Sequence, residues 1–284
     1  MAKTFILACV QNCAGDDMAA NIDAASDLVR AARRDGAELI ALPEDVALIH
    51  PDPKVLRAHA APAADHRALK TFQALAREVE AWLLVGSLPV LREDGSLANH
   101  SFLLDLEGRV VASYEKIHMF DVDLPSGKTY RESATYRSGR EAVLAPTPWG
   151  LLGLTVCYDL RFPQLYRSLA QAGAQMLSVP SAFTRVTGEA HWHVLLRARA
   201  IENGCFVFAP CQRGDHPGNR QTFGHSLIVD PWGRVLADGG EDVGYVSAEI
   251  DVARVEEVRA MIPSLRHDRP FAEPEPGLKV AAGP

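Results

Sequence analysis

The chain has 284 residues, is 48% hydrophobic and 23% charged, and carries a formal charge of −7. That length suits one large layered α/β unit, and that composition is ordinary for a globular protein in water. With no Lys/Arg cluster to override it, the negative balance argues against nucleic acid or an anionic membrane as partner.

The first apolar run, Phe5 to Val10, is too short for a signal-peptide core, and no run approaches membrane-spanning length. Five cysteines at irregular spacing do not form a disulfide framework, so a reducing cytoplasm is the expected setting. Cys9 and Cys13, separated by three residues, match neither a zinc nor a thioredoxin spacing.

Thr4 to Val10 reads as a strand, and Ala19 to Arg34 as an amphipathic helix with Asn21 or Asp23 near its start and Gly36 as a stop. Ala37 to Leu42 is a second strand, cut off by Pro43 and followed at once by Glu44. Strand, helix and strand within forty residues make a βαβ unit with parallel strands. His50 to Asp65, rich in Pro, Ala and His, reads as a surface loop. Arg67 to Glu80 is helical and Trp82 to Leu88 returns as a strand. Asn99 to Leu106 and Val110 to Tyr114 pair as a hairpin around Glu107-Gly108-Arg109, with Lys116 just beyond. Met119 to Gly139 has no sustained period. A long loop carrying Tyr130, Tyr136 and Arg131-Glu132-Ser133 inside a compact domain is expected to be functional.

Leu151 to Val156 is a short buried strand that hands over at Cys157 to a helical pattern with Pro163 in its first turn. A thiol at such a corner stands clear of the layer packing, and helix N–H groups would stabilise its thiolate. Gln175 to Pro180 is the next strand and Gly188 to Gly204 a long helix. Strands follow at Phe206 to Cys211, Gly224 to Asp230, Gly233 to Ala237 and Val243 to Ile250, then a helix at Val252 to Met261. No repeat, linker or composition break divides the chain, so residues 1–270 are expected to be one domain, with 271–284 a proline-rich tail. Hairpins mixed with βαβ units predict an α/β fold of two stacked sheets with helices outside, a four-layer α-β-β-α sandwich.

Glu44, Lys116 and Cys157 each lie where a strand gives way to a loop or helix, and such ends converge on ligand crevices in α/β sheets. Taken singly, the Glu reads as a solvated charge and the Lys as an edge charge. Arg161, four residues after the thiol, points along the first helical turn toward the same crevice, where a guanidinium suits a carboxylate. Its other reading is an ion pair with Asp159 or a helix-end charge. His191 and His193, one residue apart, face different sides of a helix, and with His118 and His225 they form no recognised metal motif, so no metal is expected. With neither G-x-G-x-x-G nor a P-loop in the sequence, no nucleotide cofactor is expected. Trp192, Leu195, Leu196 and Arg199 form a helix face that is either core or an interface between subunits.

The blocks LPED at Glu44, YEKIHMFDVDLP at Lys116 and GLTVCYDLRFPQLYR at Cys157 resemble those of the nitrilase superfamily of carbon–nitrogen hydrolases. PSAFTRVTGEAHWHVLLRARAIEN and GHSLIVDPWGRVLA extend the likeness from Phe5 to about Arg269, and it leans to the Nit branch, which contains ω-amidases and deaminated-glutathione amidases. Leu42 stands where many members have an aromatic residue. The resemblance implies a cofactor-free homodimer or higher homo-oligomer acting on a small-molecule amide. In it, Cys157 attacks the carbonyl, Glu44 moves protons, and Lys116 with the Tyr158 N–H stabilises the oxyanion. Glu132 matches the position of a second Glu that positions the Lys, and Phe183 and Thr187 fall beside the substrate. With Arg161, these favour an amide carrying a free carboxylate. Nitriles, N-carbamoyl amides and a silent binding role are the competing readings.

Overall fold

A computed structural model of the chain describes residues 4–124 and 127–272. In its first half lie β1 (Thr4–Gln11), α1 (Met18–Arg34), β2 (Leu39–Ala41), α2 (Pro53–His59), α3 (Arg67–Val79), β3 (Trp82–Leu91), β4 (Leu97–Leu104), β5 (Val110–Glu115), β6 (Asp121–Asp123) and β7 (Thr129–Arg131). The second half has β8 (Val143–Thr147), β9 (Gly150–Leu154), α4 (Pro163–Gln171), β10 (Met176–Ser178), α5 (Arg185–Asn203), β11 (Phe206–Ala209), β12 (Arg213–His216), β13 (Arg220–Phe223), β14 (Leu227–Val229), β15 (Val235–Asp238), β16 (Gly244–Asp251) and α6 (Ala253–Met261).

Two six-stranded sheets result, ordered β16-β1-β2-β3-β4-β5 and β15-β14-β11-β10-β9-β8. In each, three adjacent strands run parallel and the flanking strands pair antiparallel. The parallel pairs have helical crossovers, as a parallel connection requires. Alternation along β1 sorts the layers. Phe5, Leu7 and Cys9 join Leu152, Leu154 and Met176 of the other sheet, while Ala8 and Val10 pack with Ile22, Ala25 and Val29 of α1 and Phe72 of α3. α4 and α5 cover the second sheet, so the expected α-β-β-α sandwich is the fold observed. Each large apolar side chain withdrawn from water at these interfaces contributes roughly 1.5–3 kcal/mol.

Several element limits differ from the sequence reading, for local reasons. α1 starts at Met18, one residue before the expected Ala19, and its cap is Asp17, which accepts from Ala19 N (2.9 Å) and Ala20 N (3.1 Å). Asn21 instead ties Gly15 and Ala47 together. The segment read as a loop from His50 to Asp65 contains α2, capped by Asp52 with Pro53 in its first turn. The loop Met119 to Gly139 contains the β6–β7 hairpin, and β8 and the β12–β13 hairpin are further strands. Of the expected tail, residues from 273 onward lie outside the described residues. Among the described residues, no helix is long and apolar enough to cross a membrane.

Candidate active site

Glu44 follows β2 through Leu42 and Pro43, and Leu42 N donates to Leu84 O (2.8 Å). The turn runs so close to β3 that a Cβ on Gly86 would stand 2.1 Å from Leu42 O, which explains a glycine there. Leu42 is buried in the layer between the first sheet and its helices. Lys116 leaves β5 with its N–H on Asn99 O of β4 (2.9 Å). Cys157 begins a short 3-10 turn, Cys157–Arg161, with its N–H on Pro180 O (2.9 Å) and a left-handed φ of 49°. A non-glycine residue held there is a strained corner of the kind found at reactive positions. Thr155 anchors the approach, its Oγ1 meeting Tyr166 Oη at 2.7 Å and donating to Ser178 O at 2.6 Å.

The three side chains meet in one cavity of about 460 Å³, whose walls also include Glu132, Tyr158, Phe183, Thr187 and Arg220. Lys116 Nζ donates to Glu44 Oε1 (2.8 Å) and to both oxygens of Glu132 (2.9 and 2.8 Å). Both Glu44 and Lys116 are only 2% exposed. Asn99 Nδ2 bridges the two carboxylates, at 2.9 Å from Glu44 Oε1 and 3.0 Å from Glu132 Oε1. Glu44 Oε2 accepts from Ala182 N (2.8 Å), and Glu132 Oε2 from Phe120 N (2.6 Å).

Burial pushes the Glu44 carboxyl toward neutrality, but the Lys116 ammonium outweighs it and holds the group below its ordinary value. Lys116 is in turn held well above its ordinary value, burial being overcome by Glu132 and Glu44. Burial first, and then the Glu44 charge, push the Cys157 thiol well up. Burial and the neighbouring carboxylates thus outweigh both the Lys116 charge and the thiolate stabilisation expected from helix N–H groups. The resting set is carboxylate, ammonium and thiol, a base beside a proton it can take.

Asp159, fully buried, joins the lysine strand to the nucleophile turn. It accepts from Val156 N (2.9 Å), Tyr114 Oη (2.7 Å), His118 N (3.0 Å) and His118 Nδ1 (2.6 Å). Its partners therefore flank Lys116 on both sides, and the reading of Asp159 as the ion partner of Arg161 is not what forms. Arg161 does not line the cavity. Its guanidinium carbon lies 5.3 Å from the Phe183 ring centre and 5.9 Å from that of Tyr158, and Nη2 meets His191 Nδ1 at 3.2 Å. Thr187 Oγ1 meets Thr184 Oγ1 at 2.7 Å within the wall.

Trp192 of α5 is fully buried, with Nε1 on His225 O (2.8 Å), so that position belongs to the core. His193 Nε2 and His225 Nδ1 both meet Asp238 (2.9 and 2.8 Å) outside the cavity wall. Their donor atoms lie within 4.8 Å of one another, close enough to hold a metal ion, a grouping that the one-residue spacing of His191 and His193 gave no hint of.

The carbon–nitrogen hydrolase family model matches residues 6–260. The chain belongs to that family. The enzyme is 43% identical over 270 residues to a deaminated glutathione amidase from Synechocystis, covering 93% of this chain and 98% of the relative. Its structure is similar to that of the Caenorhabditis elegans NitFhit protein, with a TM-score of 0.87 and 38% identity over 94% of this chain and 65% of that one. It is also similar to a Glu-to-Gln mutant of an amidase from Nesterenkonia, at a TM-score of 0.79 and 26% identity over 93% of this chain and 94% of that one. That structure shows covalent addition of the acetamide moiety of fluoroacetamide at its active-site cysteine. This hydrolase is accordingly an amidase of the nitrilase superfamily.

Proposed function

We propose that the enzyme hydrolyses the C–N bond of small carboxylate-bearing amides, deaminated glutathione or an α-keto acid monoamide, through a thioester on Cys157, with residues 1–270 acting as one hydrolase domain. The observation that carries this reading is the Lys116 ammonium gripped by Glu44 and Glu132 in the cavity that contains the Cys157 thiol.

In the first half-reaction Glu44 takes the thiol proton as Sγ bonds to the carbonyl carbon. Charge collects on the carbonyl oxygen, where Lys116 and the Tyr158 N–H serve as donors; Tyr158 sits in the first turn of the 3-10 helix, where amides lack intrahelical acceptors. The C–N bond then breaks as Glu44 passes the proton to the leaving nitrogen. In the second half-reaction Glu44 takes a proton from water, hydroxide adds to the thioester, and the C–S bond breaks with the proton returning to sulfur. Glu132 and Asn99 keep Lys116 and Glu44 aligned, and Phe183 and Thr187 form the wall beside the acyl group. The name of the Synechocystis relative supports deaminated glutathione as the first substrate to try.

The test is amine or ammonia release from deaminated glutathione, α-ketoglutaramate, a simple aliphatic amide, a nitrile and an N-carbamoyl amide. Fastest turnover of one of the first two is expected. A clear preference for the nitrile or the carbamoyl compound refutes the substrate class, and slow labelling of Cys157 without release on every compound refutes turnover.

A further inference from the structure

Arg220 opens β13, on the hairpin that begins at β12, and its side chain forms part of the cavity wall. Its Nη2 donates to Ala182 O (3.0 Å), the carbonyl of the residue whose N–H holds Glu44. The guanidinium is thereby fixed on the same residue that grips the proposed base. Among the described residues this is the side chain's one hydrogen bond, and its Nε is buried with no acceptor. The facing anion, Asp45 Oδ2, stands 3.9 Å from Nη1, beyond hydrogen-bond reach, and Asp45 Oδ1 is also buried without a donor. Guanidinium presents five N–H donors in a planar fork; here the buried Nε lacks an acceptor while the rest of the half-buried group faces the cavity, where a ligand can complete it.

The geometry points to Arg220 as the residue that selects carboxylate-bearing amides, its fork receiving the substrate carboxylate directly and Asp45 serving only as a loose counter-ion in the unliganded cavity. The inference rests on the proposed substrate class and supplies the receptor that Arg161, outside the wall, does not. Burial opposes the charge of Arg220, but the nearby acidic side chains Asp45 and Glu44 outweigh it, so the cation is retained. Burial first, and then the Glu44 charge, push the Asp45 carboxyl up to about 7, so near neutrality it can carry a proton and spare an arriving carboxylate part of a like-charge encounter. Lysine at this position would keep the charge and lose the fork.

The test compares deaminated glutathione and α-ketoglutaramate with their methyl esters on the wild-type enzyme and on Arg220→Gln and Arg220→Lys. The acid-to-ester ratio of kcat/KM should fall by about tenfold to a hundredfold in Arg220→Gln, mainly through KM of the acids, and by less in Arg220→Lys. Should Arg220→Gln fail to fold, Arg220→Lys carries the comparison. Equal losses on acid and ester would assign Arg220 to holding Ala182 alone and overturn the inference, as would an unchanged ratio. A wild-type enzyme with no preference for acid over ester, or no action on the acids, would overturn the substrate class itself.

Discussion

Replacing Glu132 by glutamine should slow turnover while making the Cys157 thiol easier to ionise, two effects of opposite direction from one change. Both Glu132 oxygens are fully committed to donors: Oε1 accepts from Lys116 Nζ and Asn99 Nδ2, Oε2 from Lys116 Nζ and Phe120 N. A glutamine must turn its NH₂ toward one of these pairs, so the isostere loses at least one charge-assisted hydrogen bond and sets donor against donor. At about 1.5–3 kcal/mol for such a bond, a loss of about 2 kcal/mol falling on the transition state slows kcat roughly thirtyfold or more. The Glu132 charge also contributes to the raised thiol, so removing it lowers the pH at which thiolate forms. Steady-state kinetics and the pH profile of iodoacetamide labelling read the two effects separately. Turnover within threefold of wild type, or a labelling profile displaced to higher pH, would refute the assignment of Glu132 to positioning Lys116.

Cys157→Ala should abolish turnover and keep the fold, since it removes one atom at a cavity wall and inherits the same left-handed backbone; residual release above background would be fatal to the nucleophile. Asp45→Asn should raise the thermal midpoint more at pH 8 than at pH 5. Asp45 is raised in the folded state to about 7, so between about 4 and 7 the native protein holds a proton that the unfolded chain has released. Stability is thus lost as pH rises through that window, by on the order of a few kcal/mol, and asparagine removes the loss; a pH-independent difference in midpoint would contradict it. Arg161→Lys should leave the acid-to-ester preference where it was, because the guanidinium lies beside the Phe183 and Tyr158 rings and is not part of the cavity lining. A collapse of that preference in kinetic assays would return Arg161 to substrate contact.

Glu44, Lys116 and Cys157 were legible in the sequence because each follows a strand whose apolar run is local and readable. Asn99, Asp159 and Arg220 were not, for their partners lie across strands, turns and hairpins that no spacing reveals. Arg161 falls outside the cavity lining for a reason of helix geometry. Four residues on, an α-helix brings a side chain back to about 40° from its start, whereas a 3-10 turn leaves it about 120° away, and the turn here is 3-10. The hidden α2 shows a related limit: Ala, His and Pro obscured a helix whose signal was the Asp52-Pro53 cap.

The proposed base and ammonium extend from the sheet containing β2 and β5, whereas the sulfur follows β9 of the opposing one. Chemistry therefore depends on the two layers keeping their mutual alignment, with Asp159 bolting Tyr114 and His118 to the far side of the seam. A slip of about one ångström between layers would cost on the order of a hundredfold in rate while every strand stayed paired. Loss of catalysis on mild warming should then come before loss of secondary structure, which makes activity a gauge of interlayer registry.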